Sequence, residues 1–414
     1  MKTLPNAESL GNVRSKATDL RYFPLYFSAF FGLSLQPMTL FLVPLWAVVL
    51  QATPLQIGLA VGIGSVLPII FTVPAGSIID YFGSKRIQLA AGFVAMILLF
   101  LHPILPYIWA LVLLQMFLGQ AQGMMWMGSQ TYVARLSKRE NNISFTSLFS
   151  FASHLGTFIG PLLVGIVWDM AGPYWAFMVT ALWALGFFIS SLFIFSDAEP
   201  GKTPRISSSI DWKRFLPRWE DYRRAFRLLA IPAVLLVMYG TFLRLTAYSL
   251  RGSFYLVYLE QLEFSATAIS VLYSAFGFVS TFSSLSVNFL LKYIEGRKLL
   301  FAVSGGAILP LILPPLFEGF WALLSLTMIS GFFLGITLPL LISLMSDEVS
   351  QENQGLAVSL RELGNRLATM LIPLIFGALV AGFGLEASFF MLGGLIFASM
   401  AILVPFLLKK TTGK

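Results

Sequence analysis

The chain has no cysteine, so disulfides, thiolate metal sites and a cysteine nucleophile are excluded. Charge is almost as scarce: Asp, Glu, Lys and Arg make up 11% of the 414 residues, against roughly 25% in an ordinary soluble chain. A soluble globule with so little charge would turn large apolar areas toward water, which excludes that class. Histidine occurs twice, as His102 and His154, and there is no H-E-x-x-H, no P-loop, no glycine-rich dinucleotide fingerprint and no carboxylate cluster. An intramembrane metalloenzyme and an ATP-driven pump are thereby excluded, and neither a metal nor a cofactor is expected. What the chain does have is apolar length. It is 57% hydrophobic with a mean hydropathy of +0.82, in long continuous stretches rather than the alternating short segments of a membrane β-barrel.

A bilayer core of about 30 Å takes roughly 20 apolar residues per helix. Twelve such spans are expected, near 23–50, 55–81, 86–105, 107–134, 143–168, 173–195, 228–258, 265–291, 299–317, 320–345, 355–381 and 387–408. The fold class that follows is an all-α polytopic membrane protein. With residues 1–20 as a cytoplasmic tail rather than a signal peptide, the loops on the terminal side hold Lys85, Arg86, Arg135, Lys138, Arg139, Lys292, Arg297, Lys298 and the eight basic residues between Lys202 and Arg227. The opposite loops hold no basic residue; they hold Asp169, Glu260, Glu263, Glu318 and Glu386. The net charge of +8 is therefore a topological label that keeps both termini inside, and a nucleic-acid partner is not expected.

The one long connection, 196–227, begins with Pro, Gly and Ser and then interleaves Trp212, Phe215, Trp219, Tyr222 and Phe226 with basic residues. That pattern suits a helix lying on an anionic membrane face, and equally a solvated connector. It separates a bundle at 21–195 from a second at 228–408, with a short tail at 409–414. Sliding one half over the other by 212 residues matches Gly119 with Gly331, Gly123 with Gly335, Glu140-Asn141 with Glu352-Asn353, Pro161-Leu162 with Pro373-Leu374, Gly165 with Gly377 and Gly172 with Gly384. Six helices repeated in parallel imply two halves related by an axis along the membrane normal, with a ligand site at the midplane between them.

After the second span the chain reads Gly76-Ser77-Ile78-Ile79-Asp80-Tyr81-Phe82-Gly83-Ser84-Lys85-Arg86. This resembles the cytoplasmic signature of the major facilitator superfamily, with Gly76, Asp80, Gly83, Lys85 and Arg86 in the expected places and Tyr81 and Ser84 replacing basic residues. The resemblance implies a secondary transporter working by alternating access, in which Asp80 steadies the cytoplasmic gate, Gly83 makes the turn and the cations sit among headgroups. Gly156, Gly160, Pro161 and Gly165 in the fifth span are similar to the fifth-helix motif of the family's antiporters, although Ser147 and Val164 stand where that motif has glycine. This tilts the reading toward export. Import by proton symport, facilitative exchange, and a transporter-like sensor without flux stay open.

Ionisable groups inside a span cost at least about 2.5 kcal/mol each and usually face a cavity. Arg244 and Arg251 lie on one face of the seventh span with Tyr248 between them, Arg251 toward the outer mouth and within reach of Glu260 or Glu263. Arg366, the repeat mate of His154, lies mid-membrane in the eleventh span. Glu362 precedes it by four residues, the favourable order for an intrahelical ion pair, and Arg361 is placed to snorkel. His102, beside Pro103, is expected in a loop. More guanidinium than carboxylate suits an anionic or amphiphilic solute, with Gln36, Gln120, Trp126, Tyr239, Tyr255 and Tyr273 as further cavity candidates. Glu362 and His154 are the expected proton-coupling groups. The expected partners are a small solute, protons or a counter-solute, and the lipid of a bacterial inner membrane, around a monomeric carrier.

Overall fold

The computed structural model describes residues 17–139, 144–195, 231–348 and 354–412, together with 223, 226, 227 and 229. The tail to residue 16 and nearly all of the expected amphipathic linker lie outside the described residues, as do Glu140-Asn141 and Glu352-Asn353 of the repeat. Among the described residues every regular element is helical, and twelve spans follow one another: α1 (Phe23–Val49), α2 (Pro54–Gly62 and Val66–Phe82, joined by a 3-10 turn at Ile63–Ser65), α3 (Ser84–Ile104), α4 (Ile108–Arg139), α5 (Ser144–Ala171) and α6 (Pro173–Leu192). The second half comprises α7 (Pro232–Arg251, continuing after a break as Phe254–Gln261), α8 (Ala266–Ser283, then Val287–Leu290), α9 (Gly296–Ile312), α10 (Phe320–Glu348), α11 (Gln354–Phe383) and α12 (Leu385–Thr412). Ten spans are individually long and apolar enough to cross a bilayer. The other two are α9, which has 17 residues, and α7, which carries Arg244 and Arg251 and breaks at Gly252-Ser253.

Local chemistry sets the helix ends. Thr53 and Gln56 form a reciprocal capping box at the start of α2, where Pro54 has no amide left to satisfy. Gly83 ends α2 at φ 86°, and Gly172 and Gly384, repeat mates, turn α5 into α6 and α11 into α12 at φ 88° and 80°. Those angles favour glycine. Within the spans hydroxyls return to carbonyls of the preceding turn, as from Thr180 to Ala176 and Ser190 to Gly186, so no water is needed there.

The repeat is reproduced contact by contact. A Cβ on Gly119 would meet the carbonyl of Gly64, and one on its mate Gly331 would meet that of Phe276, the mate of Gly64. Gly165 faces the carbonyl of Ala266, and its mate Gly377 faces that of Pro54, the mate of Ala266. These last contacts join the halves, which meet along two seams, α2 with α11 and α5 with α8. Taking the end that bears both chain termini as the inner end, the named contacts across both seams lie in their outer parts: Gly58 against Pro373, Gly62 against Met370, Gly165 against Ser270, and the Ser274 hydroxyl donating to the Phe158 carbonyl. The molecule is closed at its outer end.

Candidate functional site

The two halves touch at their axis through a pair of repeat mates. A Cβ on Gly252 of α7 would lie 3.8 Å from Cβ of Leu40 on α1. One turn inward on each helix stand Gln36, exposed, and Tyr248, half-buried, themselves repeat mates, so both face the central space. Arg244 is a further turn inward and about 80° round α7 from Gly252, toward α11. It lies within electrostatic range of Arg361 and Glu362, and its Nε is enclosed without a hydrogen-bond partner among the described residues.

Each seam continues inward as a stripe. On α11, Gly377, Pro373 and Met370 face α2, and the same stripe carries Arg366 and then Glu362. On α5, Asp169, Gly165 and Phe158 face α8, and the next position is His154. His154 and Arg366 therefore occupy equivalent places, one turn inward of the mates Phe158 and Met370. His154 is exposed; its recorded hydrogen bond is through its carbonyl, which accepts from Thr157. Trp126 of α4, 46% exposed, stands one turn inward of Gln122, whose amide donates to Thr39 of α1.

Several expected contacts are replaced. Glu362 pairs with Arg361, at 2.7 Å, and accepts from Asn365; it makes no ion pair with Arg366. Neighbouring residues diverge by 100° on a helix, and only the length of an arginine lets this pair close. Arg361, with 11% of its side chain exposed, does not snorkel. Arg251 reaches neither Glu260 nor Glu263. It is buried, donates to the Tyr273 carbonyl at 2.9 Å, and lies over the rings of Tyr273, Phe276 and Tyr248 at 4.0, 4.1 and 5.5 Å. That is a cation–π clasp between α7 and α8 rather than an open outer mouth.

Other candidates prove to be packing groups. Gln120 falls about 160° round α4 from Gln122, with its amide oxygen enclosed. Tyr239 bonds Ser399, and Tyr255 bonds Thr327, both away from the central space. His102 is no loop residue: it is buried in the last turn of α3, stacked on Phe177, with Nδ1 on the Leu98 carbonyl and Nε2 on the Gln115 amide. A neutral ring protonated on Nδ1 satisfies both neighbours.

The sequence profile described as "Major Facilitator Superfamily" matches residues 22–312 and 237–414. The chain belongs to that superfamily. As such it is a multi-pass membrane protein of a transporter superfamily. A curated relative, the "Uncharacterized MFS-type transporter YfkF" of Bacillus subtilis (strain 168), is 25% identical over 268 residues, and the match spans 64% of each chain. Among solved structures, a mutant of the nucleoside transporter NupG superposes with a TM-score of 0.76 at 14% identity, covering 92% of this chain and 99% of that one. A bacterial homologue of the human lysosomal transporter Spinster, inward-facing and unoccupied, gives 0.66 at 13% identity, covering 90% and 83%. These likenesses establish the fold alone.

The superfamily's signature loop is built as follows. Asp80, at the inner end of α2, pairs with Arg135 at the inner end of α4, at 2.5 Å. The Lys85 ammonium donates to the carbonyls of Leu192 and Ile194, at 2.8 and 2.6 Å, and closes the end of α6. Arg86 is exposed. A Cβ at Gly76 would meet nothing within 4 Å, so no contact in this conformation requires glycine there. Of the fifth-helix motif, Gly156 and Gly160 fit against Phe30 and Met38 of α1, Pro161 is buried, and Gly165 faces the other half. Gly58, Gly62, Ser274 and Asp169 are seam residues that motif matching passes over. The signal for them was present, since Gly58 and Gly62 stand 212 residues before Ser270 and Ser274, small residue against small residue.

Proposed function

We propose that this protein carries an organic anion, or an amphiphile with an anionic head, across the membrane by alternating access of the central space. What supports this is the pair Arg244 and Arg366. Both guanidiniums stand in the mid-membrane part of the C-terminal half with no ion-pair partner among the described residues, while the nearby carboxylate, Glu362, is committed to Arg361. Guanidinium at that depth is costly; Glu362 acts on both only at longer range and is one carboxylate among three arginines, and an anion that pairs with them bidentately would offset the cost. Gln36, Trp126 and Tyr248 would hold the uncharged part of the solute, and Arg251 would brace the Tyr248 and Tyr273 rings. Glu362 and His154 would exchange protons with the cycle. The termini are assigned to the cytoplasm of a bacterial cell, the carrier is monomeric, and export is favoured by the α5 motif.

The test is flux into liposomes after a thermal-shift screen of purified protein against organic anions, neutral solutes such as nucleosides, and cations. A ligand at 100 times its Kd stabilises the protein by about 2.7 kcal/mol. Saturable flux of an anion is expected, with Arg244→Ala and Arg366→Ala each lowering affinity at least about tenfold, the effect of losing a charged hydrogen bond. Wild-type affinity in both variants would refute the anion site. Binding without flux would favour a sensor, and flux indifferent to an imposed pH gradient would remove proton coupling.

A further inference from the structure

Asp169 is a carboxylate that neither the signature loop nor the central space uses. It lies in the last turn of α5, at the negative end of its own helix dipole, where an acidic side chain is locally unfavourable. Its partners belong to the other half. Oδ1 accepts from the amide of Ala266 at 2.9 Å and Oδ2 from that of Thr267 at 2.8 Å, the first two residues of α8. Ser265 caps the third amide, on Ala268, at 3.2 Å. Three of the four amides left open by the start of α8 are thus satisfied, two of them only while the halves touch.

The other seam is built differently at the equivalent place. The mate of Ala266 is Pro54, which has no amide, and the start of α2 is capped within its own half by Thr53 and Gln56. The mate of Asp169 is Ala381. One of two otherwise matching seams therefore carries a charged link, and that link lies at the outer rim, where separating the halves breaks it first. Inward of it, among the described residues, the same seam holds close packing and neutral hydrogen bonds, Gly165 on Ser270 and Ser274 to Phe158.

We infer that Asp169 is the outer-gate latch of the transport cycle, holding the outer end shut by capping α8 in trans and letting go when the seams open outward. The inference rests on the alternating-access reading but not on the substrate class, because its test uses no substrate. Failure of the anion site leaves it standing.

The absence of cysteine makes the test direct. Ser274, 2% exposed beneath the latch, is replaced as Ser274→Cys, and its modification by a membrane-impermeant maleimide is followed on intact cells, with and without Asp169→Asn. A second reporter, Gln36→Cys in the central space, is followed in inside-out vesicles. Two charge-assisted hydrogen bonds at a water-exposed rim are lost or weakened, so Asp169→Asn is expected to raise labelling at position 274 about fivefold. Labelling at position 36 should fall in step, and Asp169→Glu should restore part of the original pattern. Unchanged labelling at 274 overturns the inference. So does a rise at both positions, which would make Asp169 a residue that holds the fold rather than the gate.

Discussion

Gly58 offers the sharpest test of the closed outer seam. An ideal Cβ at this position lies 2.3 Å from the carbonyl oxygen of Pro373, 2.9 Å from its carbon and 3.2 Å from Cα of Leu374. All three are backbone atoms of α11, so no side chain can turn aside. A carbon meets a carbonyl oxygen comfortably at about 3.3 Å, and Gly58→Ala therefore demands that α2 and α11 part by about 1 Å. Overpacking of this kind costs about 1–3 kcal/mol. The cost falls on the outer-closed state alone, because the contact is absent once the outer ends separate. The ratio of outer-closed to outer-open molecules should then fall by roughly 5- to 150-fold.

Nitroxides at Tyr107→Cys and Gly319→Cys, one on an outer loop of each half, report this by pulsed electron resonance. The expected result is a shift of population from the short to the long distance, with folding retained. Gly76→Ala is the control. No atom lies within 4 Å of its Cβ, and alanine in a helix gains up to about 1 kcal/mol over glycine, so it should leave the distances unchanged. A Gly58→Ala protein with the parent's distance distribution would refute the account of the seam.

Three other outcomes follow from the geometry. Asp80→Asn breaks the pair with Arg135, whose side chains are 69% and 43% exposed; stability should change by less than about 1 kcal/mol while transport slows several-fold, and a large fall in melting temperature with normal flux would reverse that assignment. His102→Leu strands the Gln115 amide in the interior at a cost of about 1–3 kcal/mol, read by thermal unfolding in detergent, and His102→Leu with Gln115→Leu should recover most of it; additive losses would contradict the pairing. Closing the cavity over Arg244 and Arg366 without an anion buries two uncompensated charges, so efflux from loaded vesicles should accelerate when the transported anion is also present outside, and equal rates with and without it would count against an empty-carrier barrier.

The twelve spans, the polarity of the loops and the duplication were legible because each is written in residues with a single strong physical preference. A run of twenty apolar residues must be shielded from water, and a glycine whose Cβ would strike a backbone carbonyl leaves a mark that recurs in the second half. Side-chain partnerships were less legible. The spacing of Glu362 and Arg366 satisfied the intrahelical rule, but the carboxylate closes on Arg361, which the rule excludes. Arg251 and His102 are settled by residues on other helices, α8 for the first and α4 and α6 for the second, and no local pattern reports which aromatic ring or amide will be brought alongside. The charge-poor composition did carry one conclusion through intact: with so few ionisable groups in the spans, each guanidinium needed a reason to be there, even where the partner named for it was the wrong one.

Apart from the Asp169 link, the close contacts that hold the halves together obey the repeat, and the residues one or two turns further inward do not. Gln36 answers Tyr248, Gly32 answers Arg244, Phe149 answers Arg361, Ser150 answers Glu362 and His154 answers Arg366. Matching seams let the outer end close by the same kind of contact on both sides of the molecule. Unmatched linings place all the formal charge on one half. On the proposed anion site, a solute held by the guanidiniums would travel with the C-terminal half, and the N-terminal half would pass across it through Gln36, Trp126 and, while its ring is neutral, His154. A neutral contact is worth about 1 kcal/mol in net terms where a charged one is worth up to about 3. Breaking the weaker set at each stroke would keep the barrier to rocking low without loosening the grip on the solute. On this reading duplication supplied the paired seams, and divergence of a few positions inward of them would supply the site.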